Sequence, residues 1–147
     1  MKKDWRHRAR EAALQILYQW EVGKIDVATA ADTFFTRQWA GAAPPSDEMR
    51  AFANRLAAET VARLEASDRL IAETSEHWRP ERLAVIDRLV LRMASAELLH
   101  DAGDTRTPHA VVIDEALELA RTFSTEEAVK FINGMLDAIR KKIDSQR

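Results

Sequence analysis

Residues 80–99, PERLAVIDRLVLRMASAELL, form the most apolar long segment of the chain. Their apolar side chains recur at helical spacing and cover more than one face, which is typical of a helix surrounded by other helices. The main apolar stripe consists of Leu83, Ile86, Leu89, Val90 and Met93. Pro80 suits the first position of such a helix, where its missing N–H costs no hydrogen bond. The segment therefore predicts the central helix of an all-α domain.

The composition is typical of an ordinary globular chain. Its 147 residues, 46% hydrophobic and 31% charged, fit a single domain over residues 1–147, with a flexible basic arm at 1–5 and a flexible tail at 144–147. No apolar run approaches the ~20 residues that cross a bilayer, and no signal-peptide pattern is present. The absence of cysteine excludes disulfides, thiol catalysis and cysteine-ligated zinc, and suits a cytoplasmic location.

Positive charge is concentrated at the two ends of the chain. Residues 1–10, MKKDWRHRAR, hold five Lys or Arg against one Asp, and residues 138–147 hold four against one. Because the net charge is −2, the middle of the chain is acidic. Basic ends on an acidic body suggest a local site for a polyanion.

Apolar periodicity predicts further helices on both sides of the central one. They span residues 6–22, 27–40, 47–65, 67–77, 109–123 and 124 to about 143. The paired prolines of GAAPPS at residues 41–46 interrupt the series. Whether 47–65 and 67–77 are two helices or one bent helix is open at this level. No segment alternates with period two, so we predict an all-α fold of about seven helices.

Residue types at the predicted helix ends indicate how these helices are capped. Gly23 fits the end of the first helix, and Ser46 fits an N-cap. Thr107 and Pro108 suit an N-cap followed by a first-position proline. Ser124 and Glu127 fit a capping box, in which each side chain accepts from the other residue's backbone N–H.

No pattern in the chain indicates catalysis. The four histidines lie in different segments without metal-ligand spacing, and no Walker loop, GxSxG, GxGxxG or HExxH sequence is present. Acidic pairs such as Asp114 and Glu118 are most often solvated helix faces. We therefore expect no enzyme activity, no metal and no cofactor.

Nucleic-acid binding has more support, from two places. The first is a basic cluster at the start of the first helix, made of Lys2, Lys3, Arg6, Arg8 and Arg10. Tyr18 lies on the outward face of the same helix, in line with Arg8. A basic tail that only aids solubility is the competing interpretation.

The second place is the sequence Lys130–Phe131 on the last helix, where an aromatic ring at the edge of the buried stripe adjoins a cation. Such pairs recognise single-stranded RNA, since the ring stacks on a base and the cation contacts a phosphate. Packing of Phe131 at the core edge is the alternative. Gly134 costs the helix about 1 kcal/mol relative to alanine, which suggests close approach of a neighbouring helix or a ligand.

Three blocks of the chain resemble the NusB family of bacterial transcription antitermination factors, in the same order and nearly end to end. They are RHRAREAALQILYQWE, AVIDRLVLRMASAELL and PHAVVIDEALELARTFSTEEAVKFINGML. The resemblance implies an all-α fold of two small packed bundles. It also implies a non-enzymatic role: binding boxA-type single-stranded RNA of ribosomal RNA transcripts together with the ribosomal protein NusE, within the RNA polymerase antitermination complex with other Nus factors.

Carried over by position, the resemblance implies a set of RNA-binding residues. These are Arg6, His7, Arg8, Arg10, Tyr18, Glu127, Lys130 and Phe131. His7 departs from the family pattern, in which another arginine is common, and this lowers the constant positive charge. The partner protein docks along the central region in the family, which makes Asp87 a candidate contact. On the same predicted central helix, the polar stripe of Arg88, Arg92 and Ser95 also remains for contact.

Other functions remain open at this level. One is an all-helical protein-interaction module without RNA specificity. Another is a detached relative of the NusB-like domain of a ribosomal RNA cytosine methyltransferase, although the chain has no cysteine nucleophile and no room for the catalytic domain. Some NusB-like proteins self-associate, and the resemblance leaves open whether this chain forms a homodimer.

Overall fold

The computed structural model describes residues 5–41, 43–75, 82–100 and 107–146. Over these residues the chain forms seven α-helices, one π-helical turn and no strand, which confirms the predicted all-α class. The elements are α1 (Trp5–Gly23), α2 (Val27–Thr33), the π-helical turn (Phe34–Gln38), α3 (Asp47–Ala62), α4 (Leu64–Thr74), α5 (Val85–Leu99), α6 (His109–Phe123) and α7 (Glu126–Ser145). None of the helices in the described ranges is long and apolar enough to cross a membrane.

Two compact units divide the chain, unit 1 at Met1–Val61 and unit 2 at Ala62–Arg147. In unit 1, α1 packs against α2 and the π-helical turn. Its core is built from the stripe that the periodicity predicts, since Ala9, Ala13, Ile16 and Leu17 are all buried. Trp20, one turn further along the same helix face, is half-buried.

The ends of α1 differ in detail from the prediction. The helix starts at Trp5, so this residue is not part of an arm; residues 1–4 of the expected arm lie outside the described ranges. The helix does end at Gly23, but Lys24 adopts the left-handed backbone conformation, with φ of 54°. At the other end of the chain, α7 continues to Ser145, into the expected tail.

The predicted helix over residues 27–40 is interrupted. Asp26 caps α2, its carboxylate accepting from the N–H groups of Ala28 and Thr29. The chain changes to π-helical hydrogen bonding at Phe34 and becomes extended at Trp39. The predicted N-cap of α3 is confirmed, because Ser46 Oγ accepts from the N–H of Met49 at 3.1 Å.

α3 and α4 are two helices, which settles the question that the sequence leaves open. Arg63 lies between them with φ of −101° and ψ of 14°, outside the helical region. One turn earlier, the buried hydroxyl of Thr60 donates to the Leu56 carbonyl at 2.7 Å. Such a side-chain donor competes with the backbone ladder and bends or weakens a helix at that point.

Unit 2 is organised around α5, which contacts α4, α6 and α7. Every residue from 89 to 96 is buried, as expected of a helix that others surround. The predicted start at Pro80 is wrong, however: α5 begins at Val85, because Ala84 is extended with ψ of 145°. The guanidinium of Arg88 donates to the Leu83 carbonyl at 3.2 Å and ties down this entry segment. Pro80 itself lies outside the described residues.

Two predicted caps in unit 2 are wrong. Pro108, not Thr107, occupies the N-cap position of α6, and no side chain caps the helix there. The N-cap of α7 is Thr125, whose hydroxyl accepts from the N–H of Ala128 at 3.0 Å. Ser124 is instead the C-cap of α6, and its hydroxyl donates to Asp87 on α5.

A bidentate ion pair joins α5 to α4. Arg92 Nε and Nη2 each donate to one carboxylate oxygen of Asp68 at 2.9 Å. The Arg92 side chain is 9% exposed and that of Asp68 is 30% exposed. Ser95 is fully buried. Of the polar stripe that was expected to remain for contact, Arg92 is therefore paired within unit 2 and Ser95 is buried there.

We expect the substitution Asp68→Ala to lower the free energy of unfolding by about 2 kcal/mol, because it removes both hydrogen bonds to a buried guanidinium. Urea denaturation checks this value. The matched control is Glu65→Ala on the same helix, which breaks the exposed 3.4 Å pair with Arg69. This control should lower the free energy of unfolding by less than about 1 kcal/mol, because solvent screens exposed ion pairs. Equal losses in the two variants would contradict a structural role for the Arg92–Asp68 pair.

Candidate nucleic-acid interface

One stripe of α1 is accessible along its length. Arg8, Gln15 and Tyr18 are exposed, and Glu11 between them is half-buried. Intervals of three and four residues place all four on one helix face. Tyr18 is 39% exposed, which confirms that its ring points away from the core, in line with Arg8.

The two exposed arginines of α1 each lie over an aromatic ring. The guanidinium of Arg6 is 4.6 Å from the centroid of the Trp5 ring, and that of Arg8 is 5.6 Å from the Trp39 ring. A cation over an aromatic face is attracted to it and loses some of its rotational freedom. Because these cations are partly ordered before any ligand arrives, less entropy is lost when a phosphate binds them.

His7 and Arg10 do not belong to this accessible stripe. His7 is 6% exposed, with Nε2 at 3.4 Å from a Glu11 carboxylate oxygen. Arg10 is 3% exposed, and its guanidinium lies 5.1 Å from the centroid of the Phe52 ring on α3. Their spacing puts them on the side of buried Leu14. Both side chains are therefore buried within unit 1, and their predicted contact with RNA stays a prediction.

In unit 2, the residues that the family resemblance assigns to RNA binding share one exposed face of α7. Glu127, Lys130 and Phe131 are all exposed, and their spacing of three and four residues aligns them. Phe131 is 40% exposed, so part of the residue is open to solvent and available for contact. The Thr125 cap begins the helix just before this face and fixes its first turn.

Gly134 lies one turn beyond Phe131 on the same side of α7. A Cβ placed on Gly134 would meet no atom within 4 Å in the described structure. Among the described residues, therefore, no neighbouring helix approaches Gly134 closely, which was one of the two explanations the sequence suggests. The position leaves a flat, open helix surface beside the Phe131 ring.

Asp87 is half-buried at the start of α5 and has a partner within unit 2. The Ser124 hydroxyl donates to its Oδ1 at 2.6 Å and links the first turn of α5 to the end of α6. The carboxylate is thus neither an isolated surface charge nor fully buried. Its predicted role as a protein contact stays a prediction.

The basic residues near the end of α7 are paired with carboxylates. Arg140 and Lys141 each reach Asp137 at 3.1 Å, and Lys142 lies 3.2 Å from Glu73 on α4. Hydrogen bonds from Arg140 and Lys141 hold the pKa of Asp137 below its usual value, so this carboxylate is charged at neutral pH. In the described part of the chain, each basic residue at this end therefore has a carboxylate partner, with Arg140 and Lys141 sharing that of Asp137.

A pocket in unit 1 was not anticipated from the sequence. It opens between α1 and the segment 34–41, with Arg8 and Trp39 among its lining residues. Trp39, which the periodicity of residues 27–40 places inward or partly so, is half-buried at this pocket. The only signal in the sequence was the position of the tryptophan just before a loop, where helical periodicity no longer applies. Within the described ranges no group of three or more metal-ligating side chains is present.

Comparisons with known proteins agree with one another. Residues 7–141 match the model of the NusB family. The chain is 42% identical over 147 residues to "Transcription antitermination protein NusB" of Koribacter versatilis, covering all of this chain and 96% of that protein. Among solved structures, NusB of T. maritima superposes with a TM-score of 0.80 at 34% identity, over 97% of this chain and 94% of that one.

A further structure shares the fold at lower identity. The antitermination factor complex of NusB and NusE with dsRNA matches with a TM-score of 0.77 at 24% identity, over 94% of this chain and 97% of that one. This likeness concerns the fold alone. The family model covers most of the chain, and the relative from Koribacter matches it over its whole length. The chain therefore belongs to the NusB family.

Proposed function

We propose that this protein acts in transcription antitermination by binding boxA-type single-stranded RNA of ribosomal RNA transcripts, together with the ribosomal protein NusE. It does so in the cytoplasm as part of the RNA polymerase elongation complex with other Nus factors. Its role is binding, without bond-making chemistry. Membership of the NusB family and the names of its relatives support this proposal.

The observation that carries the proposal is an exposed aromatic ring with a cation on the same helix face in each unit. Tyr18 and Arg8 share one stripe of α1, and Phe131 and Lys130 adjoin on α7. Unstacked RNA bases bind by stacking on aromatic rings, and their phosphates bind to nearby cations. A surface used only for solubility has no need to expose the rings.

The accessible residues divide into distinct roles. Arg6, Arg8 and Lys130 contact phosphates, and the rings of Tyr18 and Phe131 stack on bases. The Glu127 carboxylate, an acceptor only, receives hydrogen bonds from the amino or imino groups of a base. His7 and Arg10 support the α1 surface from within unit 1 and do not touch RNA. The flat helix surface at Gly134 lets the strand approach α7 closely.

Binding to a boxA-type RNA, measured with and without NusE over a range of salt concentrations, tests the function. We expect affinity to fall steeply with salt, since each neutralised phosphate of a single strand contributes about 0.7 to the logarithmic slope. The variant Arg8→Met should reduce that slope by about 0.7 and leave the melting temperature nearly unchanged. A flat salt response of the unmodified protein would contradict phosphate recognition by α1.

The matched variant on the same helix is Arg10→Met. Because Arg10 is buried against Phe52, this change should destabilise the fold by about 1–2 kcal/mol through lost packing. The salt slope, measured per folded molecule, should stay that of the unmodified protein. If Arg10→Met flattens the slope as Arg8→Met does, the division into an RNA-facing and a structural arginine is wrong.

The substitution Phe131→Ala tests the second face. It should weaken RNA binding about tenfold, because a stacked base is lost, while thermal unfolding changes little. Phe123→Ala is the matched control: this phenylalanine, at the end of α6, is 38% exposed against 40% for Phe131. The control should change RNA affinity less than about twofold. Equal effects of the two changes would remove Phe131 from the site.

If Asp87 contacts NusE, its charge should matter for NusE binding and its hydrogen bond to Ser124 for stability, and two variants separate these effects. Asp87→Asn keeps an acceptor for the Ser124 hydroxyl but removes the charge, and should weaken NusE binding about fivefold. Ser124→Ala keeps the charge, removes the internal hydrogen bond and should lower stability by about 1 kcal/mol with NusE affinity unchanged. Calorimetric titration with purified NusE measures both. Unchanged affinity in Asp87→Asn would assign Asp87 to the fold alone.

A further inference from the structure

The pocket of unit 1 has a volume of about 220 Å³ and lies against the accessible stripe of α1. Arg8, Glu11 and Gln15 line it from α1, and Phe34, Gln38 and Trp39 line it from the facing segment. Arg8 and Gln15 are both exposed, so the pocket is open to solvent. Of its lining residues, only Arg8 belongs to the RNA-facing set of the proposed function.

The Trp39 ring is held in one position by several contacts. Its Nε1 donates to the Ala43 carbonyl at 2.8 Å. The Phe34 ring meets it edge-on at a centroid distance of 6.2 Å, and the Phe35 ring lies at 6.1 Å. A Cβ on Gly41 would come within 2.5 Å of the Trp39 ring, so a glycine is needed at that position. A ring fixed in this way is a preorganised surface for a planar ligand.

Polar groups around the ring supply the remaining recognition elements. The Arg8 guanidinium lies 5.6 Å from the ring centroid. Gln15 and Gln38 are exposed, and each side-chain amide offers donors and an acceptor. Glu11 adds a carboxylate acceptor, which His7 approaches at 3.4 Å. One aromatic plane, two amides, an acceptor and a cation thus converge on a single opening.

The π-helical turn explains why Gln38 and Trp39 reach the same opening. A π-helical turn is wider than an α-helical one, and such turns occur frequently at functional sites. Here the turn spans Phe34–Gln38, and the chain becomes extended at Trp39. A regular α-helix continued through this segment would place successive side chains about 100° apart and would not give Trp39 the extended backbone that it has here.

We propose that this pocket binds one unstacked base of the RNA, as a subsite beyond the residues of the proposed function, on which it rests. The Arg8 guanidinium, which lies over the Trp39 ring in this structure, moves to the phosphate of the nucleotide. The base stacks on the ring face that Arg8 leaves, and its polar edge hydrogen-bonds to Gln38 and Gln15. RNA satisfies all of these groups at once. An apolar peptide side chain would use the ring alone and would make no hydrogen bond to the amides or the guanidinium.

Photo-cross-linking of the full-length protein with boxA-type RNA carrying single 4-thiouridines tests the proposal. Trypsin cuts after Arg37 and Arg50, so the pocket residues from Gln38 onward fall in the peptide QWAGAAPPSDEMR. We expect one position of the RNA to cross-link to this peptide. In parallel, Trp39→Leu should weaken binding about tenfold, and Gln38→Ala about threefold.

The matched control is Arg37→Ala, which removes an exposed charge next to the pocket but outside its lining. It should change affinity less than about twofold at moderate salt. If Trp39→Leu unfolds unit 1, the subsite is tested by Gln38→Ala and by the cross-link. Gln38 is exposed, so its replacement leaves the core intact.

The outcomes separate this proposal from the function on which it rests. Tight RNA binding without a cross-link to the peptide, and with Gln38→Ala behaving like Arg37→Ala, overturns the subsite and leaves the function standing. No RNA binding by the unmodified protein overturns both. A cross-link to the peptide together with a loss of affinity in Gln38→Ala but not in Arg37→Ala supports the subsite.

Discussion

Helix α5 is apolar around most of its circumference, and a helix of this kind is stable in water only when other elements cover it. In unit 2 that covering comes from α4, α6 and α7. Arg92 is the buried charged residue of α5, and Asp68 on α4 offsets that burial by accepting two hydrogen bonds from its guanidinium. Because one side of α7 packs toward this core, its other side is left to present Glu127, Lys130 and Phe131 to solvent.

The sequence predicted the helices well, because burial follows directly from the spacing of apolar side chains. Ile16 and Leu17 are buried and Tyr18 is exposed, as the period of α1 requires. The same period also buries His7 and Arg10, but their charge and the family resemblance assigned them to the RNA surface. Where residue type and helical phase disagree about a long side chain, the phase agrees with the burial found here, since an arginine stem packs readily against an aromatic ring.

The features that could not be predicted depend on contacts between segments distant in sequence. Ser124 looks like a helix cap by local rules, yet its hydroxyl donates to Asp87, 37 residues away, and Thr125 takes the cap. The pocket at Trp39 likewise depends on α1 meeting the π-helical turn. Neither arrangement produces a periodic spacing of apolar side chains in the sequence. The two exposed aromatic–cation faces were predictable because each is built from neighbours on one helix.

The short α2 and the π-helical turn after it have a consequence for local dynamics. A seven-residue helix forms few intrahelical hydrogen bonds and is marginal without its packing partner, whereas α1 has 19 residues. Amide hydrogens of segment 27–38 will therefore exchange through local opening, and those of buried α5 through unfolding of unit 2 as a whole. A ligand between α1 and Trp39 stabilises the segment that otherwise opens first, so slowed exchange there becomes a direct signal of occupancy.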